Sequence, residues 1–395
     1  MNKAFNNIRR QRSVWILFLT LSVWLICLAV GSFLSQHKPL WNDEIYSQTR
    51  VIEILSYQDL ILAKQKEGNN APFFYLIQKA LCDLSQYRFP ITWQGEWVLS
   101  EPGSQHLLRI PSNIFMSCAI ALIFYFFSRF YSLAMGAYAL FLTLSSPIIW
   151  AYWVEARPYT LWIFLTVVQS LLFLRITFEE KTARKAFQLL VLTHLLLSLT
   201  SIMSMAQIIL ISILIWIHGE RRIKFYLWLT LIPSLICLDY YFRAPIVRYD
   251  VLNIPSLVSA HISLRDLFFL AGYLLLMAFC KFYREDLYRS ILEDKKYQTI
   301  RLYLFFMIWM LLSTLFFILV IKMRATTEWG ELPSRTFIYL TPIGIMTMSI
   351  LSFNLVNIFR HNRWMLINVG IILGGLLLLR SLKTLEDLLS WNIYY

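Results

Sequence analysis

Asp43 and Glu44 stand side by side in Trp41-Asn42-Asp43-Glu44-Ile45-Tyr46, shortly after the first long apolar run of the chain. A carboxylate in that place can take a proton from a reacting hydroxyl or hold a divalent cation such as Mg2+ or Mn2+, and an adjacent pair can divide the two tasks. The plainer use is helix capping, with Asn42 or Asp43 as N-cap and acid near the positive end of the next helix. A second cluster is Glu155-Ala156-Arg157-Pro158-Tyr159. Proline favours the first position of a helix, so a helix is expected to begin at Pro158 with its unpaired amides facing the loop. Amides and dipole attract an anion there, and the Arg157 guanidinium can grip two oxygens of a phosphate. The plainer use is a Glu155 to Arg157 contact that pins the loop, and both uses can coexist. Tyr159 reads as a supporting residue.

Further charged groups carry less. In Lys322 to Arg335, Arg335 lies one or two positions before another apolar run and either meets a lipid phosphate or simply extends its head into water. Lys322 and Arg324 are weaker candidates. His194 lies inside an apolar run, where an ionisable group is a functional hypothesis by default, although a neutral packing histidine is the favoured reading. His261 has no motif around it. The five cysteines are scattered singly, which favours neither a disulfide framework nor a zinc site. The chain has no P-loop, no Rossmann glycine run and no Gly-x-Ser-x-Gly turn, so any activated substrate must arrive already in the membrane.

The elements that must position these residues are membrane helices. The 395 residues are 58% hydrophobic and 15% charged, against about 25% charged in a soluble domain, which excludes an ordinary soluble enzyme. Beyond Val14 to Leu34, charge-free runs lie at roughly 110–128, 132–150, 158–174, 186–201, 203–218, 225–242, 265–280, 302–321, 336–355 and 364–380. The expectation is a single all-α, polytopic membrane domain over 1–395 with about 11 transmembrane helices, within a range of 10 to 12. The charge-free stretch Ala186 to Gly219 is too long for one crossing of a core of roughly 30 Å, so two short helices turning near Ser201 to Ser204 fit it better. The first run also resembles a secretory signal with Ala29-Val30-Gly31 at its end, but it exceeds the roughly 7 to 15 residues of a signal core and is read as a span.

With the N-terminus on the cytoplasmic side, the outer segments come out neutral and the whole net charge of +13 falls inside, as the positive-inside rule requires. The charge therefore belongs to topology and anionic lipid rather than to nucleic acid. The expected location is the cell (inner) membrane, with both candidate clusters on the outer, periplasmic face. The longest outer segment, 35–106, holds two amphipathic pieces, Ile45 to Leu62 and Ala71 to Leu84, expected to lie in the membrane interface.

Five short stretches follow one another in a telling order: Trp41-Asn42-Asp43-Glu44, Asn70-Ala71-Pro72-Phe73-Phe74-Tyr75-Leu76, Leu108-Arg109-Ile110-Pro111-Ser112, Ser146-Pro147 and Glu155-Ala156-Arg157-Pro158-Tyr159. Together they resemble the GT-C superfamily of membrane glycosyltransferases, in particular bacterial relatives of protein O-mannosyltransferases and of lipid A aminoarabinose transferases. Arg335-Thr336-Phe337-Ile338-Tyr339-Leu340-Thr341-Pro342 resembles the entry to a late span in that family. The match is densest over about residues 36–160. It departs where relatives often carry His-Pro-Pro in place of Asn70-Ala71-Pro72, and a Thr-His pair where this chain has Thr200-Ser201.

The resemblance implies transfer of a sugar from a polyprenyl-phosphate or dolichyl-phosphate donor to a hydroxyl of a protein, lipid or glycan acceptor. It further implies Asp43 as catalytic base, Glu44 as its neighbour in acceptor or metal contacts, and Arg157 and Arg335 on the leaving lipid phosphate, with Glu155 and Tyr159 in support. The competing readings are a flippase or polymerase of lipid-linked oligosaccharide and a GT-C-like protein without catalysis. A flippase is expected to carry charges along a path through its spans, whereas most charges here sit at span ends.

Overall fold

The computed structural model describes residues 2–38, 40–65, 70–87, 91–93, 97–99, 105–178, 183–218, 226–243, 272, 338–359 and 363–389. Among them the chain is mostly helical. Five helices are long and apolar enough to cross a membrane: α1 (Asn2–His37, apolar from Ser13), α5 (His106–Phe130), α8 (Tyr159–Phe178), α12 (Leu340–Phe359) and α13 (Arg363–Leu389). Four further helices lie at expected runs and are shorter: α6 (Leu133–Leu144), α9 (Ala183–Ser198), α10 (Ser204–His218) and α11 (Trp228–Arg243). The spans expected at 265–280, Gly272 apart, and at 302–321 lie outside the described residues.

The chain reverses between Ser198 and Ser204, as the excess length of that apolar stretch requires. The run at 132–150 is not one helix. Pro147 opens the short α7 (Pro147–Tyr152) and pushes Ser146 to an extended backbone, φ −96° and ψ 114°, which ends α6. The break exposes the Ser145 carbonyl, and α13 satisfies it: Arg380 Nε donates to it at 3.2 Å and Thr384 Oγ1 at 2.7 Å.

Helix packing follows small and polar residues. α1 lies along α5, where a β-carbon on Gly31 would stand 1.8 Å from Asn113 Oδ1, so only glycine admits the approach. Asn113 Nδ2 donates to Leu28 O at 3.0 Å, and Arg129 Nη1 reaches Ser13 Oγ at 2.8 Å at the far end of the pair. The opposite face of α1 presents Trp15, Phe18, Leu25, Ile26 and Phe33, each more than half exposed, as a helix facing lipid would. A buried polar chain ties α8 to α11. Trp162 Nε1 can only donate, so it fixes Gln207 Oε1 as acceptor at 3.0 Å; Gln207 Nε2 then donates to Gln169 Oε1 at 3.1 Å. Gln169 Nε2 must therefore donate to His194 Nε2 at 3.0 Å, which leaves the ring proton on Nδ1, 3.3 Å from Thr230 O. His194 is a neutral packing histidine with both ring nitrogens engaged.

The segment between α1 and α5 differs in part from its expected form. Instead of one amphipathic helix over Ile45 to Leu62 it holds α2 (Asn42–Tyr46), a π-helical turn (Ser47–Ile52) and α3 (Tyr57–Ile61). Ser56, extended at φ −70° and ψ 163°, restarts the helix by accepting Asp59 N–H at 3.1 Å. The second amphipathic piece forms α4 (Phe73–Leu84), which buries Phe74, Tyr75, Gln78 and Cys82. A small antiparallel hairpin, β1 (Ile91–Trp93) with β2 (Trp97–Leu99), follows, and hydropathy gives no sign of it. The segment is docked onto the α9–α10 turn: Ala71 N donates to Thr200 O at 3.1 Å and Phe73 N to Leu199 O at 2.8 Å.

Candidate functional site

The end of α1, the start of α5 and the start of α8 converge at one end of the bundle, opposite Ser13 and Arg129. Two motifs some hundred residues apart in sequence meet there. Arg157 Nη1 lies 2.5 Å from Asp43 Oδ2, with side chains 8% and 31% exposed. The Arg157 guanidinium carbon is 5.5 Å from the centre of the Tyr159 ring, and Tyr159 packs edge-on against Tyr152. Pro158 O accepts Trp162 N–H at 2.9 Å, so Pro158 is the cap of α8 and the amides of Tyr159 to Leu161 precede its first intrahelical bond. The start expected at Pro158 is thereby placed one residue later, and Arg157 sits immediately ahead of the positive end of a 20-residue helix.

Glu44 is not exposed beside Asp43 but points the other way, into the protein. α2 is capped at Trp41 rather than at Asn42 or Asp43, and Glu44 Oε2 reaches back to accept Trp41 N–H at 3.0 Å. Arg109 grips the same carboxylate two-pronged: Nε to Oε1 at 3.0 Å and Nη2 to Oε2 at 2.6 Å, with both side chains fully buried. Ala156 N–H completes the set by donating to Oε1 at 2.7 Å. A carboxylate offers about four lone-pair positions. All four on Glu44 are engaged, so it does not fit as a ligand for a divalent cation. Among the described residues no group of three or more His, Cys, Asp or Glu side chains could hold a metal.

Arg109 is also spent: its Nη1 donates to Lys38 O at 2.6 Å and to Ser35 O at 3.2 Å. Lys38 is buried in turn and its ammonium donates to Ala151 O. Burial lowers the Lys38 pKa below its ordinary value, an effect that Glu155 and Glu44 offset in part and Arg109 adds to. For Glu44 burial opposes ionisation, but Arg109, Lys38 and the Ala156 amide outweigh it and keep the carboxyl below its ordinary value. Glu155 is buried and belongs to this cluster; its carbonyl accepts Ser112 Oγ at 2.5 Å and Arg157 N–H at 2.7 Å. Three acids, Asp43, Glu44 and Glu155, thus stand among three bases, Lys38, Arg109 and Arg157, and Asp43 alone of the acids keeps a partly exposed carboxylate.

Arg335 lies outside the described residues. Ile338 and Tyr339, where the described chain resumes, are buried, and the Tyr339 ring lies tilted against that of Trp162 with centroids 5.2 Å apart. Sequence reasoning assigned no role to Arg109 or Lys38. For Arg109 a signal existed: a cation at the positive start of a long apolar helix needs an anionic partner. Nothing in the sequence marks Lys38 off from an ordinary loop lysine. The Asn70-Ala71-Pro72 and Thr200-Ser201 stretches face each other, since Asn70 pairs with Ser201 as an isolated antiparallel bridge and Asn70 Nδ2 donates to the Tyr75 hydroxyl at 3.1 Å. Comparison with known proteins adds no family: no family model matches the chain, and no curated protein is significantly similar to it.

Proposed function

We propose that this protein is a GT-C-like membrane glycosyltransferase that moves a sugar from a polyprenyl-phosphate to an acceptor hydroxyl at the outer face of the inner membrane. The observation that carries the reading is the meeting of Asp43, the partly exposed acid, with Arg157 at the positive start of α8. A hydroxyl becomes acidic only as the new glycosidic bond forms, and a carboxylate within hydrogen-bond reach takes its proton in that transition state. The leaving group is a lipid phosphate. Arg157 and the first-turn amides of α8 suit its charge, and Arg335 is a further candidate for it. Glu155 and Tyr159 support Arg157 from the loop and the helix.

Glu44 is fully engaged and Glu155 is buried, so of the three acids of the described cluster Asp43 is the one with an exposed carboxylate, which favours single displacement with inversion over a covalent intermediate. The acceptor is a sugar or a Ser/Thr hydroxyl of a glycan, lipid or protein.

Asp43→Asn keeps shape and removes basicity. In liposomes supplied with polyprenyl-phosphate sugars, its turnover is expected to fall by about 10² to 10⁴ while the protein stays folded. Near-normal turnover in the folded variant, or a product that keeps the anomeric configuration of the donor, overturns the reading.

A further inference from the structure

Glu44 and Arg109 meet none of the requirements of groups that touch substrate. Both are fully buried, both oxygens of Glu44 are doubly hydrogen-bonded, and the Arg109 Nη1 donors end on the carbonyls of Ser35 and Lys38. What they touch instead is informative. The partners are the last turn of α1 and the chain just past it, the amide that starts α2, and the Ala156 amide one residue before Arg157. One ion pair therefore holds the backbone on both sides of the Asp43–Arg157 pair. The turn that carries Asp43 is tied to α5 by the two-pronged Arg109 bond to the neighbouring Glu44, and the turn that carries Arg157 is tied to the same carboxylate by the Ala156 amide.

We propose that Glu44 and Arg109 are positioning residues: a buried clamp that registers the Asp43 turn against the Arg157 turn, with Lys38 as its third member through the Ala151 carbonyl. The inference rests on the glycosyltransferase reading for what is positioned, while the clamp itself is defined by geometry alone. It assigns Glu44 a role different from acceptor contact or cation binding. The acid next to the base serves the base through the backbone.

A buried pair can be structural without positioning anything, and the double variant Glu44→Gln/Arg109→Met separates the two. Arg109→Met alone leaves Glu44 buried without its counter-ion and is expected to fold poorly; neutralising both partners restores a compatible interior. The full-length protein, reconstituted in liposomes, is followed by thermal melting, by hydrogen exchange of peptides covering residues 38–46 and 153–158, and by turnover. A clamp predicts that the double variant regains the wild-type melting temperature, yet exchanges faster in both peptides and turns over about tenfold or more slowly, with KM for the donor changed less than kcat. Wild-type exchange and wild-type kcat in the double variant overturn the proposal.

Two further arms close the remaining routes. If the double variant does not fold, Arg109→Lys, which keeps the charge and loses the fork, takes its place: faster exchange and slower turnover support the clamp, and wild-type values of both overturn it. A Glu44→Gln defect that is reversed by raising Mg2+ or Mn2+ also overturns the clamp, because it makes Glu44 a cation ligand. If the wild-type protein transfers no sugar from any polyprenyl-phosphate donor, the functional reading fails; the clamp then stands or falls on the exchange of the two peptides.

Discussion

At the scale of single residues, the neighbours Asp43 and Glu44 show how one peptide step separates two chemistries. Successive residues of a helix project about 100° apart, so the first turn of α2 sends Glu44 into the protein and leaves Asp43 at its edge. The Glu44 carboxyl, held below its ordinary 4.5 by Arg109, Lys38 and the Ala156 amide, is a stability group. Its folded pKa is lower than its unfolded one, so its contribution is complete above about 4.5 and is lost as the pH falls toward the lower folded value. A melting series from pH 7 downward is expected to show a loss starting near pH 4.5 that disappears in Glu44→Gln/Arg109→Met. Asp43 and Arg157 lead to a different expectation. A lipid phosphate that takes the Arg157 guanidinium must compete with the Asp43 carboxylate 2.5 Å away. Asp43→Asn should therefore bind polyprenyl phosphate more tightly than wild type, and Arg157→Lys more weakly by about 1.5 to 3 kcal/mol. Equilibrium binding to labelled lipid phosphate measures both signs.

At the scale of elements, the bundle is held in register by a few polar contacts laid into apolar helices. The chain from Trp162 to Thr230 has a fixed polarity because an indole only donates, and this decides the His194 tautomer three side chains away. Trp162→Phe removes the donor and leaves the Gln207 carbonyl buried without it. The expected cost is about 1 to 3 kcal/mol, read as a lower melting temperature of the reconstituted protein. Gly31→Ala tests the α1–α5 approach by a different cause, steric rather than polar, because its methyl group would meet Asn113 and Trp153. Asn113 lies one helical turn from Arg109 on α5, so a shift of α1 there reaches the Glu44 clamp. Loss of turnover should accompany loss of stability in that variant.

At the scale of the whole molecule, the candidate site lies at the end of the bundle opposite the N-terminal end of α1. Gln86 and Arg184 are exposed residues near opposite ends of it, beyond α4 and at the start of α9. If the N-terminus is cytoplasmic, a cysteine at Gln86 is labelled by an impermeant reagent from outside, and one at Arg184 only after permeabilisation. The reverse pattern would place Asp43 and Arg157 on the cytoplasmic face and remove the outer-face reading. The docking of Asn70 to Phe73 on the α9–α10 turn gives the segment between α1 and α5 a fixed seat at this end.

The sequence by itself determined that the chain is built of apolar helices, though not how many of them cross, together with the reversal near Ser201 and the two charged motifs, because hydropathy and charge act locally and leave a periodic record. It also marked Arg157 and Pro158 at the start of a helix, where cap chemistry is legible to within a residue: Pro158 is the cap of α8 rather than its first residue. Tertiary structure decided which acid faces outward and which base holds it. Arg109 and Lys38 acquire their roles only when α1, α5 and the Glu155–Pro158 turn are brought together, and no local pattern encodes a partner 65 residues away. The same holds for the break at Ser145: the run at 132–150 reads as one apolar span, and only the fold shows α6 ending there, with α13 supplying the donors that make the freed carbonyl tolerable inside the bundle.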